Sequence, residues 1–474
     1  LFSHNSRAWF KLVFISTVLS LASNFQYGFS TTYLNTPVDS FKAYLRSCML
    51  ARHVSTSATN WMWYLLINIW FVGFFFGIWL SPLLNDRLGR KVGFIIANVF
   101  SLAASLFRYL AIVLKVPELL FIGRVIASVV SATAYQALIL YLQECSPTDL
   151  RGMLSFMSEI TYSGMCAVGM LLGTSQIFGR RLSYLTGFAV IPSMLSILAL
   201  LPIPDTPKFL YITKNNQEAA IKSLKFFRGD DVDIDSALDG FKKEQEEDSK
   251  NTTSFKEILT TPYIRKAIVL SCFALQNTVP LWSIMLSSTQ FLRDVNLNSG
   301  IAEWSSTVMT LLYILGTIIG FFIVERFRRR LLCIGLSSLN NASLLLFVIF
   351  EQLNKVVHST KYLCIVCLLL YGLNFRMGVG PLSWILSSEL VPQRHRSLVQ
   401  SFCYSVNTIM VVISTFAVLP LYDVINSYAF LILYIVPSTI SIIYLYRNLP
   451  ETSNREVFDV VEDLKNSKNK PEKE

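Results

Sequence analysis

Long apolar segments alternate with short polar turns along almost the whole chain of 474 residues. A bilayer core takes about 20 apolar residues per helix, and twelve segments of the chain reach that length. They cover residues 11–33, 61–84, 92–113, 118–141, 152–178, 183–203, 264–292, 302–325, 331–351, 362–388, 397–421 and 427–446. The pattern predicts an all-α membrane protein whose helices form two groups of six.

One long polar stretch, residues 204–262, separates the two groups of helices. Its run from Lys242 to Asp248 carries too many charges for a bilayer. The predicted organisation is therefore a first six-helix bundle, a linker, a second six-helix bundle and a tail, with the boundaries 1–203, 204–262, 263–447 and 448–474. Alternating charge over residues 216–227 and 233–247 predicts short linker helices with a solvated face.

The composition and the charge distribution agree with a membrane protein. The chain is 53% hydrophobic and only 15% charged, which is more apolar than an ordinary soluble protein. Most of the 41 Lys and Arg residues fall in the termini, the linker and the loops on the same side. The positive-inside rule therefore places both termini and the linker in the cytosol. The net charge of +10 is then a signal of topology, and we expect the lipid bilayer and no nucleic acid as a partner.

Residues typical of catalysis or metal binding form no constellation in the sequence. The eight Cys residues lie mostly in apolar segments, and Cys364 and Cys367 have redox spacing but sit within a predicted membrane helix. The four His residues are scattered, and no Gly-rich phosphate loop or nucleophile elbow is present. We expect no enzyme activity, no cofactor and no metal. A small-molecule substrate is the expected binding partner, and the oligomeric state is left open.

Several polar motifs in the turns occur twice, once in each half. The Glu-x6-Arg spacing of Glu144 and Arg151 recurs in Glu389 and Arg396. The dipeptide 204–205, Pro-Asp, recurs as Pro-Glu at 450–451, and the motif 86–91, Asp-Arg-Leu-Gly-Arg-Lys, has an echo at 325–330, Glu-Arg-Phe-Arg-Arg-Arg. Such doubling indicates a transporter made of two similar halves, with the substrate path between them.

These turns also predict a gate built from ion pairs. Gly89 allows a tight reversal, and the flanking cations then face the negatively polarised ends of neighbouring helices and their acidic side chains. Pairs that hold the halves together in one state and part in the other would form a cytosolic gate. The candidates are Arg87, Arg90, Glu144, Arg151, Asp205, Glu325, Arg326, Arg329, Arg330, Glu389, Arg396 and Glu451. The alternative is that these cations only set the topology.

The motifs resemble those of the animal facilitative hexose transporters, in the sugar-porter branch of the major facilitator superfamily. The resemblance covers nearly the whole chain. It rests on Phe25-Gln26-Tyr27-Gly28, the motif 86–91, Gly123-Arg124, the motif 144–152, Pro204-Asp205-Thr206-Pro207-Lys208, Val324-Glu325-Arg326, the motif 378–384 and Leu449-Pro450-Glu451-Thr452. It implies a twelve-helix major facilitator fold, a cytosolic helical linker, a location in the plasma membrane and movement of hexoses down their gradient by alternating access.

Two residues match positions that contact sugar in this family. Trp384 follows a Gly-Pro break in the tenth predicted helix and can offer an aromatic face to the CH surface of a hexose. Asn407, in the middle of the eleventh helix, can exchange hydrogen bonds with sugar hydroxyls. The alternatives are an interfacial anchor for Trp384 and a polar contact between helices for Asn407.

The seventh helix departs from the family pattern. Of the family's two Gln residues only the second remains, as Gln276, and the family Asn is replaced within the segment 275–281. Asn277 is a candidate substitute, although it is displaced by one position, about 100° around the helix. The resemblance also places Tyr313 at a family Asn in the eighth helix. The expected sugar site has therefore lost several amides.

Two charged residues, Glu159 and Arg376, occupy positions at which the family carries a different type of residue. Glu159 occupies the position of a sugar-binding Gln in the fifth helix, and Arg376 replaces an acidic residue of the tenth. Charges inside a membrane cost at least about 2.5 kcal/mol each on insertion scales. Either both line the path, which would suit an organic anion as cargo, or they are structural. In the structural alternative Glu159 pairs with Arg376 or with Arg124.

The first helix bears on proton coupling. Proton symporters of this family carry an Asp that pairs with the Arg of the fourth helix; this chain has Ser30 there and keeps Arg124. A Ser cannot cycle a proton at neutral pH, so the sequence predicts a uniporter for a hexose or related polyol. A buried Glu159 with a raised pKa is an alternative proton carrier. The other functional alternatives are an organic-anion carrier and a sugar sensor that does not transport, which the altered seventh helix would also fit.

Overall fold

The computed structural model describes residues 6–146, 151–229, 233–250, 255–453, 455 and 457–466. All regular secondary structure in these residues is helical. The chain divides into two compact units, Leu1–Lys250 and Asn251–Glu474. Of the predicted linker 204–262, the part up to Lys250 therefore groups with the first unit, and the helix Phe255–Thr260 groups with the second.

The first unit contains six membrane-length elements, one additional short helix and three helices of the linker. Its helices are α1 (Ser6–Thr32), α2 (Val38–Leu50), α3 (Thr56–Asn85), α4 (Arg90–Leu114), α5 (Pro117–Cys145), α6 (Arg151–Gly173), α7 (Leu182–Phe188), α8 (Val190–Leu200), α9 (Pro207–Ile212), α10 (Gln217–Arg228) and α11 (Ile234–Lys250). Helices α7 and α8 together form the sixth predicted segment. The sequence pattern did not predict α2, which is amphipathic and buries Phe41 and Leu45.

Small and hydroxyl residues let the helices of the first unit approach closely. A side chain at Gly77 of α3 would clash with the Val129 carbonyl of α5. Helices α1 and α6 are joined by side-chain hydrogen bonds, including Asn24 Nδ2 to the Ser158 carbonyl at 2.8 Å and Thr32 Oγ1 to the Cys166 carbonyl at 2.9 Å. Such contacts hold helices together where lipid removes the hydrophobic driving force between them.

The linker helix α10 has a buried apolar side in addition to its solvated face. Asn216 caps its start by accepting a hydrogen bond from the Ala219 N–H at 3.0 Å, and Gly229 ends it with a positive φ. Its apolar side buries Leu224 and Phe227, and Phe227 belongs to the core of the first unit. The predicted solvated face is thus only one side of this helix, because apolar residues recur at helical spacing between the charges.

The second unit repeats the six membrane elements and adds a terminal helix. Its helices are α12 (Phe255–Thr260), α13 (Pro262–Gln276), α14 (Val279–Asp294), α15 (Ser299–Arg326), α16 (Arg329–Leu353), a 3₁₀ turn (His358–Thr360), α17 (Lys361–Asn374), a π turn (Phe375–Val379), α18 (Gly380–Glu389), α19 (Gln393–Ile425), α20 (Tyr428–Phe430), a π turn (Leu431–Ile435), α21 (Val436–Asn448) and α22 (Val457–Asn466).

All twelve predicted segments form helices, although four of them, the sixth, seventh, tenth and twelfth, are interrupted. Eleven helical spans of the described residues are long and apolar enough to cross a membrane, and α6 provides the remaining predicted segment. Large apolar side chains such as Phe76, Trp79 and Ile191 are exposed on these helices, as expected for surfaces that face lipid. The chain is a multi-pass membrane protein.

Two of the interruptions lie in the region where the sugar site is expected. The seventh span turns at Asn277 and Thr278 between α13 and α14, where Pro280 removes a backbone donor from the helix. The tenth span contains the π turn at 375–379, which holds Arg376. A π turn inserts an extra residue and often marks a functional position.

Candidate functional site

The turn between α3 and α4 is organised around one buried carboxylate. Arg90 donates to Glu144 Oε1 from Nη2 at 2.9 Å and from Nε at 3.2 Å. The Thr206 hydroxyl donates to the other oxygen, Oε2. Gly89 precedes Arg90 with φ +110°, and a side chain at Gly89 would collide with Phe209. The expected glycine turn is confirmed, and it brings α4, α5 and the start of the linker together.

Asp205 anchors the start of α4 from the linker side. Its Oδ1 accepts hydrogen bonds from the backbone N–H of Lys91 at 3.2 Å and of Thr206 at 2.8 Å. Lys91 Nζ donates to the Leu201 carbonyl at 2.8 Å. Burial raises the pKa of the Asp205 carboxyl, and the two N–H donors and the Arg90 charge offset part of that rise. We call Arg90, Lys91, Glu144, Asp205 and Thr206 the first turn cluster.

The second unit has an equivalent arrangement between α15 and α16. Arg329 Nη1 pairs with Glu389 Oε1. Glu451 Oε1 accepts from the backbone N–H of Arg330 at 3.4 Å and of Thr452 at 3.1 Å. Arg330 Nη2 donates to the Tyr446 carbonyl at 2.6 Å. We call Arg329, Arg330, Glu389, Glu451 and Thr452 the second turn cluster.

The remaining predicted gate residues are less well placed. Arg87 and Arg326 are exposed. Arg396 is half-buried at the start of α19, and its Nε is a buried atom without a hydrogen-bond partner among the described residues. The side chains of Arg151 and Glu325 lie outside the described part of the structure.

The ion pairs of the two turn clusters join helices of the same unit. Arg90 and Glu144 connect α4 to α5, and Arg329 and Glu389 connect α16 to α18. In each pair the Arg at the start of one helix reaches the acidic end of a helix in its own unit. That charges of these turns also tie one half to the other in one transport state stays a prediction. These pairs brace each unit.

Trp384 is held by one aromatic neighbour in the second unit. Its ring meets that of Tyr404 on α19 edge to face, with centroids 4.6 Å apart. The Tyr404 hydroxyl donates to the Trp384 carbonyl at 3.0 Å. Trp384 itself is half-buried. A fixed orientation and a partly accessible ring are what stacking on a sugar requires.

The three amide candidates differ in what their side chains contact. Asn407 is buried, and its Oδ1 has no hydrogen-bond partner among the described residues. Asn277 donates from Nδ2 to Ser441 Oγ on α21 at 3.2 Å, so its amide connects two helices of the unit. Gln276 is half-buried at the end of α13, directly before the turn. Asn407 therefore has a free acceptor to offer to a ligand, whereas Asn277 is partly used by the fold.

Tyr313 and Arg376 are brought together in the second unit. Both are buried, and the Arg376 guanidinium carbon lies 5.8 Å from the centroid of the Tyr313 ring. A side chain at Gly316 would clash with the Leu373 carbonyl and crowd Arg376 Cβ. The close approach of α15 to α17 and the π turn thus places the cation over the ring, an arrangement that stabilises a desolvated guanidinium.

Glu159 and Arg124 both lie in the first unit but do not pair. The Tyr135 hydroxyl donates to Glu159 Oε1 at 3.2 Å. Arg124 instead donates to the carbonyls of Ser30 at 2.8 Å and Ile67 at 3.0 Å. The alternative of a Glu159–Arg124 ion pair was wrong. Glu159 and Arg376 belong to different units.

Sequence reasoning missed one buried charge, Arg108 on α4. It is 1% exposed and donates to Ser30 Oγ at 2.6 Å and to Gln26 Oε1 at 3.3 Å. A charged residue inside an apolar segment was the available signal, because such a residue is a candidate functional position by default. Among the described residues, no group of His, Cys, Asp and Glu could hold a metal ion.

Comparisons with known proteins identify relatives of this chain. The sequence profile of the family described as "Sugar (and other) transporter" matches residues 15–464. The human "Solute carrier family 2, facilitated glucose transporter member 9" is 27% identical over 462 residues, which cover 94% of this chain and 83% of that protein. The Equus caballus "Solute carrier family 2, facilitated glucose transporter member 5" is 26% identical over 466 residues, which cover 95% of this chain and 91% of that protein.

A solved structure is similar in fold. The inward-open conformation of the xylose transporter XylE from E. coli superposes with a TM-score of 0.77 and covers 95% of this chain and 99% of that one. The identity is 18%, so this likeness concerns the fold alone. It confirms the expected major facilitator fold.

Proposed function

Because the chain belongs to the Sugar (and other) transporter family, we propose that it carries a hexose or a related polyol across the membrane as a uniporter, by alternating access. The match of the family profile to residues 15–464 carries this proposal. The relatives of the chain are named as facilitated glucose transporters. Two similar six-helix units, each braced by its own turn cluster, suit the rigid-body movements of alternating access.

The proposed sugar contacts are Trp384 and Asn407. Trp384 supplies an oriented ring for the CH face of the sugar, and the Asn407 carbonyl accepts a hydroxyl proton. Gln276 adds a further amide beside the break in the seventh span. Asn277, Tyr313, Arg376 and Glu159 then have mainly structural roles, because each has a partner within its own unit.

Uniport is supported by the partners of Arg124. In this chain the guanidinium bonds to two backbone carbonyls, and one of them belongs to Ser30. Neither carbonyl can take up and release a proton at neutral pH, and this favours uniport. We further propose that the protein resides in the plasma membrane with both termini and the linker in the cytosol, as the Lys and Arg distribution favours.

Uptake into proteoliposomes tests the substrate class. Purified protein is reconstituted and offered radiolabelled hexoses, pentoses, polyols and organic anions. We expect saturable uptake of a hexose or polyol and competition among neutral sugars only. Saturable uptake of an anion without any sugar uptake would instead favour the organic-anion carrier, and sugar binding without uptake would favour a sensor.

Trp384→Ala tests the site itself. We expect the KM for the accepted sugar to rise by about fivefold, because a stacked aromatic face contributes on the order of 1 kcal/mol. Trp79→Ala is the matched control, since Trp79 is exposed on the outer face of α3 and its loss should leave KM unchanged. Equal effects of the two substitutions would remove Trp384 from the site.

A pH gradient tests the mode of transport. We expect sugar to equilibrate across the vesicle membrane whether or not the outside is acidified. Accumulation above equilibrium under external acid would contradict uniport. Glu159→Gln then separates the alternatives, because loss of that accumulation in the variant would identify Glu159 as the proton carrier.

A further inference from the structure

Two arginines lie fully buried inside the first unit. Arg108 on α4 is 1% exposed and Arg124 on α5 is 0% exposed. Both belong to membrane-spanning helices, where a guanidinium is rare and costly. The family resemblance accounts for Arg124 only as one member of an Arg–Asp pair that this chain does not keep. Arg108 has no assigned role.

The two guanidinium groups converge on the same part of α1. Arg108 Nη1 donates to Ser30 Oγ at 2.6 Å, and Arg124 Nη1 donates to the backbone carbonyl of that residue at 2.8 Å. Both guanidinium carbons also face one ring, that of Tyr33, at 5.3 Å and 5.9 Å from its centroid. Two positive charges therefore lie side by side in a region of low dielectric, where they repel each other.

The hydrogen bonds that this pair makes to described residues go to neutral oxygens. Arg108 also donates to Gln26 Oε1 at 3.3 Å and to Ser105 Oγ at 3.0 Å, and Arg124 to the Ile67 carbonyl at 3.0 Å. In the part of the chain that the structure describes, the Nε atom of each arginine is buried without a hydrogen-bond partner. Amide and hydroxyl oxygens orient the guanidinium groups but do not neutralise them.

Two other arginines of the first unit, in contrast, are paired with carboxylates. Arg90 is paired with Glu144, and the exposed Arg52 is paired with Glu118. In these two cases a carboxylate accompanies a cation that is less buried than Arg108 or Arg124. Of these four arginines, the two most deeply buried are thus the ones that have no carboxylate partner in the described part of the chain.

We propose that Arg108 and Arg124 bind one small inorganic monoanion of the chloride type inside the first unit. The anion would accept the unused Nε–H donors and offset both charges. The complete burial of both guanidinium groups favours a small ion over a bulky organic anion. This site is separate from the sugar contacts, which lie in the second unit, and it serves as a structural counter-ion site for α1, α4 and α5.

Thermal unfolding of the purified protein tests the site. The melting temperature is measured in sodium gluconate with increasing replacement by sodium chloride at constant ionic strength. We expect a saturable rise of about 3 °C, because a ligand that binds only the folded state stabilises it. Bromide and nitrate should act like chloride. A chloride titration without a saturable rise would overturn the proposal.

Two variants separate the site from a general salt effect. Arg108→Met should abolish the chloride-specific rise, because one of the two cations is gone. Arg52→Met also removes one positive charge, but at the surface, and it should keep the full rise. Equal chloride responses in the wild type and Arg108→Met would overturn the proposal.

A direct binding measurement tests the proposal without a variant, and so it does not depend on whether a variant folds. Equilibrium binding of radiolabelled chloride to the unaltered protein should saturate near one ion per chain, and nitrate should compete while hexoses should not. Absence of saturable binding would overturn the proposal. Because sugar uptake is not a readout of either measurement, the outcome is independent of the transport proposal.

Discussion

The two turn clusters reach the same set of contacts from different sequences. Arg90 and Arg329 each pair with the acidic end of a neighbouring helix, and the next residue, Lys91 or Arg330, donates its side chain to a backbone carbonyl. In both units an acidic residue that follows a proline, Asp205 or Glu451, accepts a backbone N–H at the start of α4 or α16. The two units therefore repeat the same contacts although their sequences differ. For example, Gly89 in the first turn corresponds to an arginine in the second.

The clusters differ in how far water reaches them. The side chains of Arg90 and Glu144 are 13% and 6% exposed, whereas those of Arg329 and Glu389 are 33% and 19% exposed. Thr206 adds a hydroxyl donor to Glu144. An ion pair shielded from water interacts more strongly and leaves a more costly charge behind when it is broken. The two ion pairs connect equivalent positions, but we expect the pair of the first cluster to contribute more to stability than the pair of the second.

Glu144→Gln should have the largest effect on this comparison. The substitution keeps the shape but leaves Arg90 half-buried without its main counter-charge. We expect a loss of about 2 to 4 kcal/mol of stability, read as a lower melting temperature of the purified protein in detergent. A double-mutant cycle with Arg90→Met should show strong coupling. Additive effects would mean that the pair does not brace the unit.

Glu389→Gln should cost much less, about 1 kcal/mol or below, because its pair is more exposed. The difference from the wild type should also shrink at high salt, since screening acts on exposed charges. Melting temperatures at low and high sodium gluconate check this. A loss as large as that of Glu144→Gln would abolish the contrast between the clusters.

Asp205→Asn should change how the stability of the folded protein depends on pH. Burial raises the pKa of Asp205 in the folded state, so the folded protein holds this proton more tightly than the unfolded chain. The wild type then loses stability from this group as the pH rises from the ordinary value of about 3.9 through the raised one. The stability of Asp205→Asn relative to the wild type should therefore increase from acid toward neutral pH. A difference that is independent of pH would contradict the assigned burial.

Glu451→Gln should have the smallest effect, within about 0.5 kcal/mol. Its amide oxygen can still accept the backbone N–H groups of Arg330, Thr452 and Ser453. Melting temperatures that match the wild type would show that this contact depends on the acceptor and not on its charge. A marked loss would indicate that the charge itself is needed in the second cluster.

Most of the fold was predictable because hydrophobic length is a local property. All twelve segments, the linker and the Gly89 turn follow from residues close in sequence. The short helix α2 was missed because it is too short and too polar for a membrane span. The packing of Leu224 and Phe227 was missed because the charges on α10 dominated its pattern.

For the candidate site, the sequence predicted which residues take part and where they lie in their helices, but not which residues they contact. The sequence placed Trp384 and Asn407 in the middle of helices, but the edge-to-face contact with Tyr404 depends on a residue of another helix. The role of Asn277 depends on Ser441, far away in the chain. Arg108 shows the opposite failure, since its charge was visible within an apolar segment and its convergence with Arg124 on α1 was not.

By itself the sequence determined the membrane class, the twelve helices in two similar halves, the motifs of the turns and the family. These follow from the length of apolar segments and from residue order. Only the tertiary structure decided which charges meet: that Arg90 and Arg329 brace their own units, that Arg124 bonds carbonyls and not Glu159, and that Arg376 lies over Tyr313. The physical reason is that the interaction of two charges depends on their separation and burial, and helix packing sets both.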